Sequence, residues 1–314
     1  MVSDLARRLN DGASRAIIGQ ADPFRLLTVA LLVGGHVLLE GVPGTAKTLM
    51  AKTLAILVGG VFRRVQFTPD LMPSDITGTN VYDLAANQFT LRRGPVFTDV
   101  LLAEEINRAP AKTQSALLEA MEERQVTIDG EGYALSPVFT VIATQYPIEF
   151  EGTYPLPEAQ LDRFLFKVIV TYTPREAETE LLRRVHAGFD ARALDRAGVM
   201  AVMDPAHLVE CRDAARQVAV DEAIFAYIEE IVWTTRQMPD LLLGASTRAA
   251  IALVQGAKVL AALDGRGYVV PDDVKTLVPP VLRHRLIPRP EAELSGLDTE
   301  SLIARVLHAV PVPR

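Results

Sequence analysis

The sequence predicts an α/β fold, a parallel sheet flanked by helices, followed by a smaller all-helical domain. Up to about residue 172, short apolar runs of strand type alternate with segments that carry apolar residues at helical spacing. This alternation is typical of a parallel sheet with helices on both faces. From Pro174 onward, alanine-rich helical periodicity dominates and strand signals are absent. Because 314 residues are also too many for one compact core, we predict two domains, residues 1–173 and 174–314.

Composition and charge narrow the class of protein. Hydrophobic residues make up 49% and charged residues 23%, as in ordinary globular proteins. Lys and Arg number 15 against 19 Asp and Glu in residues 1–172, and 17 against 20 in residues 173–314. Neither half is basic, so the sequence disfavours nucleic acid as a partner. The single cysteine, Cys211, rules out a disulfide framework within the chain. The sequence shows no signal-type leader and no apolar run of membrane-spanning length, so we expect a cytoplasmic protein.

The first predicted elements surround a glycine-rich turn. Residues 14–34 carry apolar side chains at helical spacing, interrupted at Gly19 and Gln20, which predicts a bent helix. The apolar run 37–39 predicts a strand, and residues 49–57 predict a helix directly after the turn. A short strand is predicted at 65–67, before Pro69.

The remaining elements of the first domain follow in order. Residues 78–94 alternate and predict a hairpin-type insertion, and the run 100–103 predicts a buried strand. Residues 112–124 carry one apolar stripe and predict a helix. Residues 126–135 alternate around Asp129 and Gly130, which predicts a β-hairpin with an Asp-Gly turn. Two further buried strands are predicted at 138–144 and 164–170.

The turn between the first strand and its helix has the composition of a phosphate-binding loop. The pattern G-x-x-x-x-G-K-[ST] is met except that Ala46 replaces the second glycine, a small departure. Such a loop offers backbone N–H groups and a helix N-terminus to phosphate oxygens. Lys47 can pair with the β- and γ-phosphates, and Thr48 can hold magnesium, so ATP and Mg²⁺ are the predicted cofactors. The predicted nucleotide-binding residues of this stretch are Gly41, Val42, Pro43, Gly44, Thr45, Ala46, Lys47, Thr48 and Leu49.

Two acids end the strand predicted at 100–103. In phosphate-loop ATPases the first acid at this place helps to hold magnesium, usually through water, and the second polarises the attacking water. Glu104 and Glu105 occupy these places. Glu104 stands where aspartate is usual and is one methylene longer, so we expect altered magnesium geometry.

Several blocks of sequence together resemble one known family. They are residues 35–44, 66–78, 105–110, 114–123, 151–164 and 282–285. In this order they are similar to the MoxR family of AAA+ ATPases, and the similarity runs almost the whole length of the chain. The resemblance implies an AAA+ core with a helical lid, ATP hydrolysis and a chaperone-like role in remodelling, maturing or loading metals or cofactors into client proteins. It also implies a homo-oligomer, most often a hexameric ring, and a partner of the von Willebrand factor A type.

The resemblance further implies roles for individual residues. Gly19 and Gln20 match the segment that lies against the adenine. Arg163 matches the arginine finger that reaches a neighbouring subunit's γ-phosphate, and Arg248 matches the sensor arginine of the lid, acting either in its own subunit or in the neighbour. Tyr146 stands where the family has an asparagine that positions the attacking water or senses the γ-phosphate. A phenol cannot copy a short amide, so the sequence supports ATP binding more firmly than fast hydrolysis.

The two predicted hairpins match inserts of this AAA+ branch that project toward the ring pore. Arg92, Arg93 and Tyr133 are candidate client contacts there, although solvated hairpin residues are the simpler interpretation. Two other functions stay open. One is a regulatory switch that holds ATP but scarcely hydrolyses it, and the other is a nucleic-acid motor, which the acidic composition disfavours.

Overall fold

A computed structural model describes residues 2–146 and 153–313. Pro147, which follows Tyr146, and the first two residues of the block 151–164, Glu151 and Gly152, lie outside the described residues. The α-helices are α1 Val2–Ala13, α2 Ala21–Val33, α3 Lys47–Leu57, α4 Pro73–Thr77, α5 Ala111–Glu123, α6 Glu158–Leu161, α7 Arg175–His186, α8 Pro205–Arg216, α9 Glu222–Gln237, α10 Thr247–Leu263, α11 Pro271–Leu282, α12 Pro290–Leu294 and α13 Thr299–Ala309. The strands are β1 Val37–Glu40, β2 Phe62–Gln66, β3 Gly78–Asp83, β4 Gln88–Arg93, β5 Val100–Glu104, β6 Gln125–Ile128, β7 Glu131–Ala134, β8 Thr140–Gln145, β9 Phe166–Ile169, β10 Leu241–Leu243 and β11 Ile287–Pro288.

A five-stranded parallel sheet organises the first domain. Its strand order is β2-β5-β8-β1-β9, and every neighbouring pair is parallel. The carboxyl ends of β1, β5 and β8 therefore meet at one edge, where ligands of open α/β sheets bind. The predicted parallel sheet with flanking helices is confirmed.

Both faces of this sheet are covered by apolar side chains, as parallel sheets require. On β5, Val100 and Leu102 face a core shared with α1, α2, α3 and helices of the second half. The intervening Leu101 and Ala103 face a second core, which includes apolar side chains of α5. This alternation follows from the two-residue period of a strand.

The second half of the chain packs directly on the sheet. A Cβ atom placed on Gly256 of α10 would lie 2.7 Å from Leu277 of α11 and 3.4 Å from Phe166 of β9. Helix α10 also contacts α1 and α2. The boundary near residue 173 stays a prediction. Within the described ranges, no helix is both long and apolar enough to cross a membrane.

Local predictions differ in how they fare. Both hairpins are confirmed, and Asp129 and Gly130 have φ of 51° and 85°, which suits a two-residue hairpin turn. The helix predicted over 14–34 begins only at Ala21, because Gly19 has a φ of 71° and breaks the helical path. Helix α1 was not predicted, and the second half contains a short antiparallel pair, β10 with β11, where strands were expected to be absent.

Candidate nucleotide-binding site

A recess of about 520 Å³ opens where β1, β5 and β8 end. The three strands end at one edge because they are paired in parallel register. Leu39 of β1 is paired with Thr144 of β8, and Leu102 of β5 is paired with Ile142 of β8. The recess brings together residues of the predicted phosphate loop, both acids and Tyr146. Its lining consists of Pro43, Gly44, Thr45, Ala46, Lys47, Thr48, Leu49, Arg64, Gln66, Glu104, Glu105, Thr144, Gln145, Tyr146 and Ala191.

The loop backbone shows why its glycines are there and what Ala46 changes. A Cβ on Gly41 would lie 2.1 Å from the carbonyl oxygen of Val170, so no side chain fits. Gly44 has a φ of 80°, and a Cβ there would meet nothing within 4 Å. Ala46 adopts the left-handed conformation, with a φ of 63°, directly before α3. The replacement of glycine by Ala46 is therefore more than one added methyl, because L-residues are strained in this region.

Lys47 lies over the loop that precedes it. Its Nζ atom donates to the carbonyl oxygens of Gly41 at 2.9 Å and Val42 at 2.6 Å. Partial burial lowers the pKa of Lys47, and the nearby carboxylate of Glu104 opposes that change. The ammonium group is thus aimed at the inside of the loop, where phosphate oxygens bind in proteins of this pattern.

Glu104 is the most enclosed acid of the recess, with 8% of its surface exposed. Its Oε1 atom accepts from the hydroxyl of Thr48 at 2.5 Å, and its Oε2 atom accepts from Nε of Arg64 at 2.6 Å. A hydroxyl beside a carboxylate is an oxygen donor set that suits Mg²⁺. The residues predicted for magnesium, Thr48 and Glu104, therefore fit that ion, and Arg64 adds a positive charge beside them.

Arg64 was missed by the sequence reasoning. The strand was predicted at 65–67, whereas β2 spans Phe62–Gln66. Gln66 pairs with Glu104 in the sheet register, so Arg64, two residues earlier, lies on the same side of the strand. A correctly placed strand would have provided that signal.

Glu105 is held at the edge of the same recess. Its backbone is left-handed, with a φ of 55°, and its N–H group donates to the Thr144 hydroxyl at 3.0 Å. Its carboxylate accepts from Arg108 at 2.8 Å. Tyr146 follows the end of β8 and lines the same recess. Glu104 and Tyr146, which both depart from the family pattern, thus line the same recess as Glu105.

Gly19 and Gln20 lie against the junction of the two halves rather than in this recess. The amide of Gln20 donates to the carbonyl oxygen of Thr171 at 2.9 Å. A Cβ on Gly19 would lie 2.6 Å from Thr173 and 2.8 Å from Ala177. Their role at an adenine ring stays a prediction.

The two predicted arginines lie together, on a surface away from the recess. Arg163 and Arg248 each pair with Glu122 of α5, at 2.9 Å and 2.8 Å. Neither guanidinium lines the phosphate recess of its own chain. Glu122 was not predicted as part of any site.

The hairpin formed by β3 and β4 projects apolar side chains. Leu84 is 86% exposed and Phe89 is 71% exposed. Arg93 lies 5.1 Å from the ring centre of Phe97, and the Tyr133 hydroxyl of the other hairpin donates to Glu131 at 2.5 Å. Client contacts at Arg92, Arg93 and Tyr133 stay predictions.

The fold and this recess define the class of protein. A parallel sheet, a phosphate loop after β1 and two acids at the end of β5 are the parts of a phosphate-loop nucleotide-binding protein. In agreement, residues 36–166 match the family described as ATPase family associated with various cellular activities (AAA), and residues 234–306 match the AAA lid domain.

Comparison with known proteins gives the family. The chain is 44% identical to Chaperone MoxR1 of Mycobacterium tuberculosis over 309 residues, which covers 96% of this chain and 80% of that protein. It is 32% identical to Protein MoxR of Methylorubrum extorquens, with 99% and 96% covered. A solved structure from Cytophaga hutchinsonii, described provisionally as an ATPase, superimposes with a TM-score of 0.91 at 41% identity, covering 100% of this chain and 96% of that one. The chain belongs to the MoxR family of AAA+ ATPases.

Proposed function

We propose that this protein binds and hydrolyses Mg–ATP at an interface between identical subunits and uses the reaction for a chaperone-like remodelling of client proteins. One observation carries the proposal. Lys47, Thr48, Glu104 and Glu105 converge on one recess, whereas Arg163 lies on a different surface of the chain. Such a site is completed by a second copy.

Each recess residue has a role that its contacts support. The loop N–H groups and Lys47 bind the phosphates, and Glu105 orients and polarises the attacking water. When bound, Mg²⁺ would be held by Thr48 and Glu104 and would supply positive charge to the phosphate oxygens. Arg64 holds the Glu104 carboxylate in place from the opposite side to Thr48.

The positions of the arginines support action in a neighbouring subunit. A guanidinium contributes to phosphoryl transfer only when it reaches the transferring group. Since Arg163 and Arg248 share the carboxylate of Glu122, we propose that both act on the neighbour's ATP. This arrangement requires a homo-oligomer, and family membership favours a hexameric ring.

The proposed chaperone-like role rests on family membership and on the projecting hairpins. Exposed Leu84 and Phe89 offer an apolar contact for an unfolded client segment. Loss of the γ-phosphate would release the neighbour's arginines and so move lid against core. A partner of the von Willebrand factor A type would deliver the client.

Mixing two inactive variants tests the shared site. Lys47→Ala removes the phosphate contact and Arg163→Ala removes the finger, so each variant alone should hydrolyse little ATP. In a 1:1 mixture, about one quarter of the interfaces pair an intact loop with an intact finger. The rate of hydrolysis should therefore rise to about one quarter of that of the unmodified protein. If mixed assemblies form and hydrolysis does not return, the arginine acts within its own subunit and the proposal is wrong.

A slow, nucleotide-gated switch is the second candidate. It is favoured by the ion pair that Arg108 makes with Glu105, which holds the catalytic carboxylate, and by Tyr146 at the asparagine position. Steady-state phosphate release of the unmodified protein and of Glu105→Gln separates the two functions. Equal rates support the switch, and a rate at least tenfold lower in Glu105→Gln supports the enzyme.

A further inference from the structure

We propose that Glu122 is a positioning residue that holds Arg163 and Arg248 together as one phosphate-recognising pair on the surface that faces a neighbouring subunit. This inference rests on the proposed function, because it assumes that the two arginines act on a neighbour's nucleotide. It adds a residue that neither the phosphate-loop pattern nor the predicted arginine roles include.

The geometry joins three distant parts of the chain through one carboxylate. Glu122 lies near the end of α5, Arg163 follows α6, and Arg248 lies in the first turn of α10. Oε2 of Glu122 is 2.9 Å from Nη2 of Arg163, and Oε1 is 2.8 Å from Nη2 of Arg248. Both oxygens are engaged, one by each guanidinium.

A second carboxylate joins the backbone segments that carry these arginines. Asp162, directly before Arg163, accepts from Nε of Arg285 at 2.7 Å. It also accepts from the hydroxyl of Ser246, two residues before Arg248, at 3.2 Å. The segments of both arginines are therefore already connected, and Glu122 adds the connection between the guanidinium groups themselves.

Electrostatics explain why a carboxylate is needed between the arginines. Two guanidinium groups repel each other, and Arg285 adds a third positive charge behind them. Burial lowers the pKa of Arg285, the hydrogen-bonded carboxylate of Asp162 opposes that change, and the positive charge of Arg248 lowers the pKa further. Without the charge of Glu122, we expect Arg163 and Arg248 to separate.

The pair is held loosely enough to be released to a phosphate. The side chains of Arg163, Glu122 and Arg248 are 31%, 36% and 53% exposed. Ion pairs at this exposure are weak because water screens them. A neighbour's γ-phosphate carries more negative charge than one carboxylate and accepts from a guanidinium fork, so it can compete for both arginines.

A double-mutant cycle tests whether Glu122 couples the arginines. The readout is the strengthening of subunit association by ATP relative to ADP, measured by sedimentation in the Glu105→Gln background, so that no hydrolysis is required. Arg163→Ala, Arg248→Ala and the double variant are compared with Glu122 intact and with Glu122→Gln. With Glu122 intact, the double variant should lose about tenfold less of the ATP effect on association than the product of the two single-variant losses predicts. With Glu122→Gln, the loss in the double variant should equal the product of the two single-variant losses.

Matched variants keep a purely structural role apart. Glu123→Gln changes the next residue of α5, which lines a second, smaller recess together with Glu122 and Arg163 and forms no ion pair within the described part of the chain. It should leave the coupling intact, and Glu122→Asp should restore part of it. If Glu122 only stabilised the packing of the lid on the core, Glu122→Gln would lower the melting temperature and leave the coupling between Arg163 and Arg248 unchanged. That result would overturn the inference.

The failure of this inference differs from the failure of the proposed function. If ATP strengthens association and Arg163→Ala weakens that effect, but the coupling survives Glu122→Gln, only the inference is wrong. If Arg163→Ala leaves the ATP effect unaltered, the shared site itself is wrong and the inference falls with it.

Discussion

The phosphate recess and the Glu122 arginine pair are two halves of one proposed site, and they are built in opposite ways. The recess takes seven of its fifteen lining residues from one contiguous stretch, Pro43 to Leu49, and encloses its acid Glu104 at 8% exposure. The arginine pair draws on residues 122, 163 and 248 and remains open to water. The phosphate loop is preorganised within one subunit to bind ATP. The two arginines come from distant parts of the chain and can exchange Glu122 for a neighbouring subunit's phosphate.

The largest expected effect separates the two halves directly. Lys47→Ala should weaken ATP binding by an isolated subunit by about 100-fold, because a charged hydrogen bond to phosphate contributes roughly 1.5–3 kcal/mol. Arg163→Ala should leave that affinity unaltered. Titration with a fluorescent ATP analogue at dilutions that keep the subunits apart measures both.

Lys52→Ala is the matched control, because Lys52 lies on the same helix and donates to the carbonyl oxygen of Arg192 instead of facing the loop. Equal losses in Lys47→Ala and Lys52→Ala would indicate general damage to α3. Equal losses in Lys47→Ala and Arg163→Ala would abolish the distinction between the halves.

His36 joins helix α5 to strand β8 inside the core, and acid should destabilise that contact. The ring lies at the start of β1, with Nε2 3.1 Å from the carbonyl oxygen of Met121, the residue before Glu122. Nδ1 accepts from the N–H group of Val141 on β8 at 2.9 Å, so the neutral ring satisfies both contacts. Burial, together with the positive charge of Arg124, lowers the pKa of His36 from 6.5 to about 3.

The sign of the pH effect follows from these values. The unfolded chain binds a proton at His36 below pH 6.5 and the folded chain does so only near pH 3, so the contribution to stability is complete above pH 6.5 and decreases as the pH falls. From pH 6.5 to 5 the free energy of unfolding should fall by about 2 kcal/mol from this residue. Urea unfolding of the unmodified protein and His36→Gln measures the difference in slope, and identical slopes would contradict it.

The contrast between the halves also decides what the sequence could predict. The phosphate loop and both acids were found because their pattern is local and their chemistry fixes the residue types. The parallel sheet was predicted from alternation of elements, but its strand order was not. Glu122 was missed because nothing in a single sequence shows that residues 122, 163 and 248 meet. Arg64 was missed because strand β2 was predicted three residues too late. The strain at Ala46 was missed because the sequence does not show the backbone angle of that residue.

Tyr146 tests how far the recess is tuned for slow turnover. Tyr146→Asn restores the family's amide at a position that lines the recess after β8. We expect kcat to rise about fivefold, the effect of one hydrogen bond of about 1 kcal/mol to the attacking water. ATP affinity should stay the same. Tyr172→Asn is the control, since Tyr172 is 74% exposed. Unchanged turnover would remove Tyr146 as the reason for any slow hydrolysis.

The smallest effect compares the same substitution in the two halves. Ala46 has a φ of 63°, whereas Ala250 lies within helix α10, two residues after Arg248. Glycine relieves the left-handed strain at position 46 but adds freedom to the unfolded chain, so Ala46→Gly should stabilise by about 0.5 kcal/mol net. Ala250→Gly relieves no strain and should destabilise by about 1 kcal/mol.

Urea unfolding at pH 7.5 measures both changes, and opposite signs are the expected result. A destabilising Ala46→Gly would mean that the loop does not hold position 46 in the left-handed conformation in solution. The loop would then have to reorganise when phosphate binds, and the description of the recess as the preorganised half of the site would be wrong. If Ala46→Gly and Ala250→Gly both lower the free energy of unfolding, the contrast between the phosphate recess and the arginine pair is contradicted most directly. This test also depends on the smallest difference in free energy among these predictions.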